Sequence, residues 1–88
     1  MQIRRNHSMD KDEAKALVEK IADRLNRKLR LDSEWREYDL RVRGSGVNGN
    51  IFVADDYIEV NVKLGFALMM LEPTIRREIE STMDEHLP

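Results

Sequence analysis

The sequence predicts an α+β fold of order β-α-β-β-β-β-α, one antiparallel sheet with two helices packed on one face, as a single domain over residues 1–88. Three patterns carry that expectation. An amphipathic helical stripe follows a capping box, four segments of period two are joined by turn residues, and a second apolar stripe is interrupted at Pro73.

The chain opens with Ile3, Arg5 and His7 alternating with Gln2, Arg4 and Asn6, the pattern of a short, polar edge strand. Asp10 then stands as a helix N-cap with Glu13 three positions on, and Met9 and Ala14 are placed to form a hydrophobic staple around them. Behind the cap, Ala14, Leu17, Val18, Ile21, Leu25 and Leu29 recur at three- and four-residue spacing over about five turns. Asp10, Asp12 and Glu13 gather at the start of this helix and Arg27, Lys28 and Arg30 at its end, the order that complements the helix dipole.

From Leu31 the period changes to two. Strands are expected around Ser33–Arg36, Asp39–Arg43, Asn50–Ala54 and Tyr57–Lys63. A two-residue turn at Asp55-Asp56 sets Val53 against Ile58 and Ile51 against Val60, and a Glu37-Tyr38 turn sets Trp35 against Leu40. A four-residue loop over Ser45–Asn48 sets Val42 against Ile51. One face then carries Trp35, Leu40, Val42, Ile51, Val53, Ile58, Val60 and Val62, while the other is mostly polar, a meander with one wet side. Beyond it, Leu68, Leu71, Ile75, Ile79 and Met83 form the inner stripe of a closing helical region. Pro73 predicts a short helix from about Phe66 to Leu71 and a kink or restart after it, with proline in the first turn of the second piece.

Cysteine is absent, which excludes disulfides, thiolate metal sites and thiol catalysis and fits a reducing cytoplasm. No apolar run approaches the ~20 residues that span a bilayer, and the first residues lack the apolar region of a signal peptide, so a soluble protein is expected. The net charge of −2 conceals +4 over residues 1–30 and −6 over residues 31–88. Nucleic-acid-binding domains are usually far more basic, and no nucleic-acid partner is expected.

Candidate chemistry finds ordinary structural explanations. His7 adjoins Ser8, but neighbours on a strand point to opposite faces, so no nucleophile–base pair follows, and His86 lies near the end of the sequence. Asp55-Asp56 suits a turn better than a metal, and no metal or cofactor is expected. The run Gly44-Ser45-Gly46-Val47-Asn48-Gly49-Asn50 lies between two strands rather than before a helix, the reverse of a phosphate cradle. Arg36, Arg41 and Arg43 share the outer sheet face with Phe52, but Glu34 and Glu59 share it too, which reads as a solvated face.

One stretch exceeds structural need. A helix built from Leu64-Gly65-Phe66-Ala67-Leu68-Met69-Met70-Leu71 is apolar on every side, whereas a helix on one sheet needs a single stripe. Leu64, Phe66, Met69 and Met70 are therefore the candidate apolar interaction patch, and methionine suits variable apolar partners. Three non-catalytic readings follow: docking on an apolar surface or partner protein, a homodimer interface, or an acyl-chain carrier with a pocket lined by Trp35, Val60 and Leu68.

The chain resembles the polyhydroxyalkanoic acid system family of small bacterial proteins. The resemblance rests on Ile3-Arg4-Arg5-Asn6-His7, Asp12-Glu13-Ala14-Lys15-Ala16, Trp35, Gly46-Val47-Asn48-Gly49-Asn50-Ile51, Ile58-Glu59-Val60-Asn61-Val62-Lys63-Leu64-Gly65 and the closing Ile75-to-Leu87 helix. It implies a cytoplasmic accessory protein, associated with genes for polyhydroxyalkanoate granules and with a granule surface or granule protein as partner. It brings no catalytic residues.

Overall fold

The computed structural model describes residues 1–87. Strand β1 (Gln2–Asn6) leads into helix α1 (Lys11–Lys28), and β2 (Leu31–Arg36), β3 (Asp39–Gly44), β4 (Val47–Val53) and β5 (Tyr57–Leu64) follow as a meander. A 3-10 helix (Phe66–Leu71) then runs directly into α2 (Glu72–His86). All five strands form one antiparallel sheet of order β1-β5-β4-β3-β2, so β1 is an edge strand, as its polar alternation predicts.

Helix α1 starts where the capping residue predicts: Asp10 stays extended and its Oδ1 accepts the Glu13 amide at 2.8 Å. That bond satisfies a donor that has no partner inside the helix, and it holds the Asp10 carboxyl below its ordinary pKa. The helix buries Ala14, Leu17, Val18, Ile21, Ala22 and Leu25 against the sheet, while Leu29 is its C-cap and only half buried.

The sheet presents an apolar row that crosses every strand. Ile3 pairs with Val60, Val60 with Ile51, Ile51 with Leu40 and Leu40 with Trp35. All point to the helical side, and only Trp35 is partly open, where its indole N–H donates to Glu19 at 3.1 Å. The Glu37-Tyr38 and Asp55-Asp56 turns give the pairings that parity requires, Trp35 with Leu40 and Val53 with Ile58.

The third hairpin differs. The four-residue loop is instead a two-residue turn, Ser45-Gly46, with Gly46 at φ +77°, so β4 begins at Val47. Val42 therefore faces Gly49, and Ile51 faces Leu40. The cause is that Gly49 works inside the strand rather than in the loop: a Cβ there would collide with the Asn61 carbonyl oxygen and lie 2.8 Å from Val62 Cα. A shift of two positions preserves the faces, which is why the inner residues are nonetheless the expected ones.

The restart at Pro73 is present, with proline in the first turn of α2. The stripe of α2 is Ile75, Ile79, Thr82 and Met83; Leu71, expected on it, lies exposed because the six residues before α2 wind as a 3-10 helix. The helices run antiparallel: Lys28 meets Glu78, Arg24 meets Glu85 and Lys20 meets His86.

These directions give the molecule two distinct ends. One gathers the end of α1, the Ser45-Gly46 turn, the end of β5 and the start of α2. The other gathers the start of α1, the Glu37-Tyr38 and Asp55-Asp56 turns and the end of α2, and is tied together by Lys11–Asp55 (3.6 Å), Tyr38–Asp12 (3.3 Å) and Arg5–Asp84 (2.6 Å).

Candidate functional site

The apolar stretch leaves the sheet at the end of β5 and is fastened at once to the neighbouring hairpin. Gly65 donates its amide to the Gly46 carbonyl at 2.7 Å, and Leu68 lies over the same turn. A Cβ on Gly46 would come within 3.2 Å of Leu68 Cδ1. Glycine is favoured at position 46 by its positive φ, and the leucine against its Cα leaves little room for a side chain. The 3-10 helix rests on the hairpin tip through Leu68 alone; the other five of its residues are exposed.

Phe66 is 92% exposed, Met70 91%, Met69 54% and Leu71 43%, while Leu64 is half buried. With three residues per turn, Phe66 stacks above Met69 and Ala67 above Met70, so two of the three columns of this helix face outward. Single exposed apolar residues are ordinary on a protein surface; four contiguous ones, two of them almost fully free, are not. The patch continues into an open groove of about 370 Å³ lined by Gly44, Gly46, Val47, Lys63, Leu64 and Gly65.

The outer sheet face is a mosaic. Arg41 pairs with Asp39 at 3.1 Å, whose other oxygen accepts from Asn50 at 2.7 Å. Phe52 leans on Tyr57 at 6.4 Å, and the Arg4 guanidinium covers the Tyr57 ring at 3.7 Å. The cleft that holds Arg36, Arg41 and Arg43, also about 370 Å³, is lined by Asp32 and Glu34 as well. Stacked bases would find their aromatic platform already covered by Arg4 and their phosphates opposed by acids.

Both histidines are occupied with main-chain carbonyls. His7, which is buried, donates from Nε2 to the Ala54 carbonyl at 3.0 Å and accepts the Met9 amide on Nδ1 at 3.1 Å. It staples the end of β1 to the Asp55-Asp56 hairpin, while Ser8 points to solvent. His86 donates from Nδ1 to the Thr82 carbonyl at 2.9 Å and accepts Lys20 on Nε2 at 3.1 Å. Among the described residues no group of three His, Asp or Glu side chains is placed to hold a metal ion, and Asp55 is engaged by Lys11.

The residues of the expected acyl pocket are not brought together. Val60 is fully buried three strands away from Trp35, which borders an open cleft with Glu19, Ala22, Asp23, Ser33 and Leu40, and Leu68 sits on the Gly46 turn. Sequence reasoning missed one polar cluster on the helices. Arg24 donates to the buried Thr82 hydroxyl at 3.1 Å and to Glu85 at 2.7 Å, which raises the Arg24 pKa and lowers that of Glu85. The only signal for it was a threonine on an apolar stripe.

No described helix is long and apolar enough to cross a membrane. Residues 1–87 match the model of a family described as "Putative polyhydroxyalkanoic acid system protein". A search of curated proteins finds no match.

Proposed function

The chain belongs to the polyhydroxyalkanoic acid system family, and from that premise we propose that it is a non-enzymatic accessory protein that docks on the apolar surface of polyhydroxyalkanoate granules through Phe66, Met69 and Met70. The observation that carries this reading is the near-complete exposure of Phe66 and Met70 on a helix fixed to the Ser45-Gly46 turn. A flexible tail would lose conformational freedom on docking; a helix already held by Leu68 and Gly65 loses little. Commitment of both histidines to main-chain partners supports a non-catalytic role.

The experiment is co-sedimentation with purified granules, comparing the wild type with a Phe66→Ser Met70→Ser double variant. Granule binding above that of an inert control, lost in the double variant, is the expected result. Equal pelleting of the two proteins, or none of either, rejects the reading. Light scattering on the free protein supplies the rival outcome: a dimer that the double variant dissociates assigns the patch to self-association instead.

A further inference from the structure

Topology brings a second feature to the end that carries the apolar patch. The ion pairs of the molecule use Arg5, Lys11, Arg24, Lys28 and Arg41. The other cations have no acid within 4.0 Å among the described residues, and Lys63, Arg76 and Arg77 are the three of these nearest in sequence to the patch. Lys63 lines the groove beside Leu64 and Gly65, and Arg76 and Arg77 line, with Pro73, Glu80, Ser81 and Asp84, a shallow groove along the outward side of α2. Arg30 and Arg43 stand at the same end of the sheet, next to Leu31 and Gly44. The acids there are Asp32, Glu72 beside Leu71, and Glu78, which Lys28 holds at 3.6 Å, and Glu80 shares the groove of Arg76 and Arg77. At the opposite end acids predominate: Asp10, Asp12, Glu13, Glu37, Asp55, Asp56 and Asp84 stand with Arg5, Lys11, Lys15 and Arg36. A chain whose net charge is −2 thus gathers an excess of cations at the end that carries its exposed Phe and Met.

We infer that the surface the patch enters is anionic: a lipid layer in which negatively charged headgroups overlie acyl chains. The inference rests on the apolar-docking reading and adds the charge of the surface to it. Apolar side chains inserted between headgroups bring nearby cations to the depth of the lipid charges, where each Lys or Arg strengthens binding about fivefold. A neutral apolar surface gives three unpaired cations nothing to meet. A second copy fits poorly as well, because a two-fold dimer through this face sets one cationic rim against its twin. Head-to-tail stacking joins unlike charges but meets no matching apolar patch at the Glu37-Tyr38 and Asp55-Asp56 end, where Phe52 and Tyr57 lie on the side of the sheet.

The test is vesicle sedimentation at low and high salt, with phosphatidylcholine alone and with phosphatidylcholine containing phosphatidylglycerol. Three proteins are compared: the wild type, the Phe66→Ser Met70→Ser variant, and a Lys63→Gln Arg76→Gln Arg77→Gln variant whose circular dichroism is first matched to the wild type. The wild type is expected to bind the phosphatidylglycerol vesicles preferentially and to be released by salt, with a loss of roughly a hundredfold in the triple glutamine variant. Equal binding to both vesicles, absence of vesicle binding, or full binding by the triple variant overturns the inference. Granule pelleting keeps the two readings apart. A triple variant that still pellets with granules, while Phe66→Ser Met70→Ser does not, overturns the anionic surface and leaves apolar docking standing.

Discussion

Arg24 on α1 donates a hydrogen bond of 3.1 Å to the Thr82 hydroxyl on α2 at the edge of the core, and that hydroxyl in turn donates to the Glu78 carbonyl at 2.8 Å. A fully buried hydroxyl is tolerable on an apolar stripe because both of its roles are filled. Thr82→Val keeps the shape and removes both bonds. It is expected to destabilise the fold by about 1 kcal/mol, seen as a melting temperature lower by about 4–8 °C. An unchanged melting temperature shows that the two bonds contribute nothing net.

Two carboxyls, one in this cluster and one at the start of α1, set an acid response. The Arg24 guanidinium holds the Glu85 carboxyl below its ordinary pKa, and the Glu13 amide does the same for Asp10. A carboxylate with a lowered folded pKa contributes stability above its unfolded value, about pH 4, and loses it as pH falls through the folded value. Asp10→Asn with Glu85→Gln is therefore expected to flatten the decline in stability below about pH 5. Denaturant titrations at a series of pH values measure it; parallel acid limbs for the two proteins reject the assignment.

Two glycines of similar appearance should respond oppositely to alanine. At Gly49 the new methyl meets the backbone of β5, which cannot yield without separating two strands. Gly49→Ala is expected to cost about 1–3 kcal/mol or to prevent folding. At Gly65, with φ −65°, the nearest atom to a Cβ is Gly46 Cα at 3.4 Å, an ordinary contact, so Gly65→Ala should be within about 0.5 kcal/mol of the wild type or slightly stabilising. Urea unfolding of both variants decides this, and equal losses would contradict the geometry.

The patch can be separated from the core by stability alone. Phe66→Ser and Met70→Ser remove side chains that are already in water and should change stability by no more than about 0.5 kcal/mol. Ile51→Ala, at the centre of the five-strand row, should lose about 2–5 kcal/mol. A large loss at Phe66 would mean that the residue is covered in solution, by a second copy or by the protein itself.

Most of the fold was legible because hairpins and parity constrain one another. Trp35, Leu40, Ile51 and Val60 fall on one face in any register shifted by an even number, so the misplaced Ser45–Asn48 loop left the layers intact. It did hide Val47, a buried residue read as loop, because glycines on both sides of it looked like punctuation. The choice between α and 3-10 winding over Phe66–Leu71 was beyond six residues of pattern, and Leu71 was misassigned with it. Phe66, Met69 and Met70 were found as an excess over what one stripe needs, a composition argument that does not depend on winding. The cations beside them were not found. Lys63, Arg76 and Arg77 come to the same end as Arg30 and Arg43 only once the strand order and helix directions are fixed.

The strand order also dictates a sequence of events. The meander from β2 to β5 closes through three turns of a few residues, each a local step. Strand β1 joins it only when Met1 reaches Val62, 61 positions away, so its loop-closure entropy is recovered after the meander exists. Until then Val60 lacks its Ile3 neighbour, and the edge of β5 presents unpaired amides. Strand β1 is thus expected to zip last, with the β5 edge open to other strands in the interval.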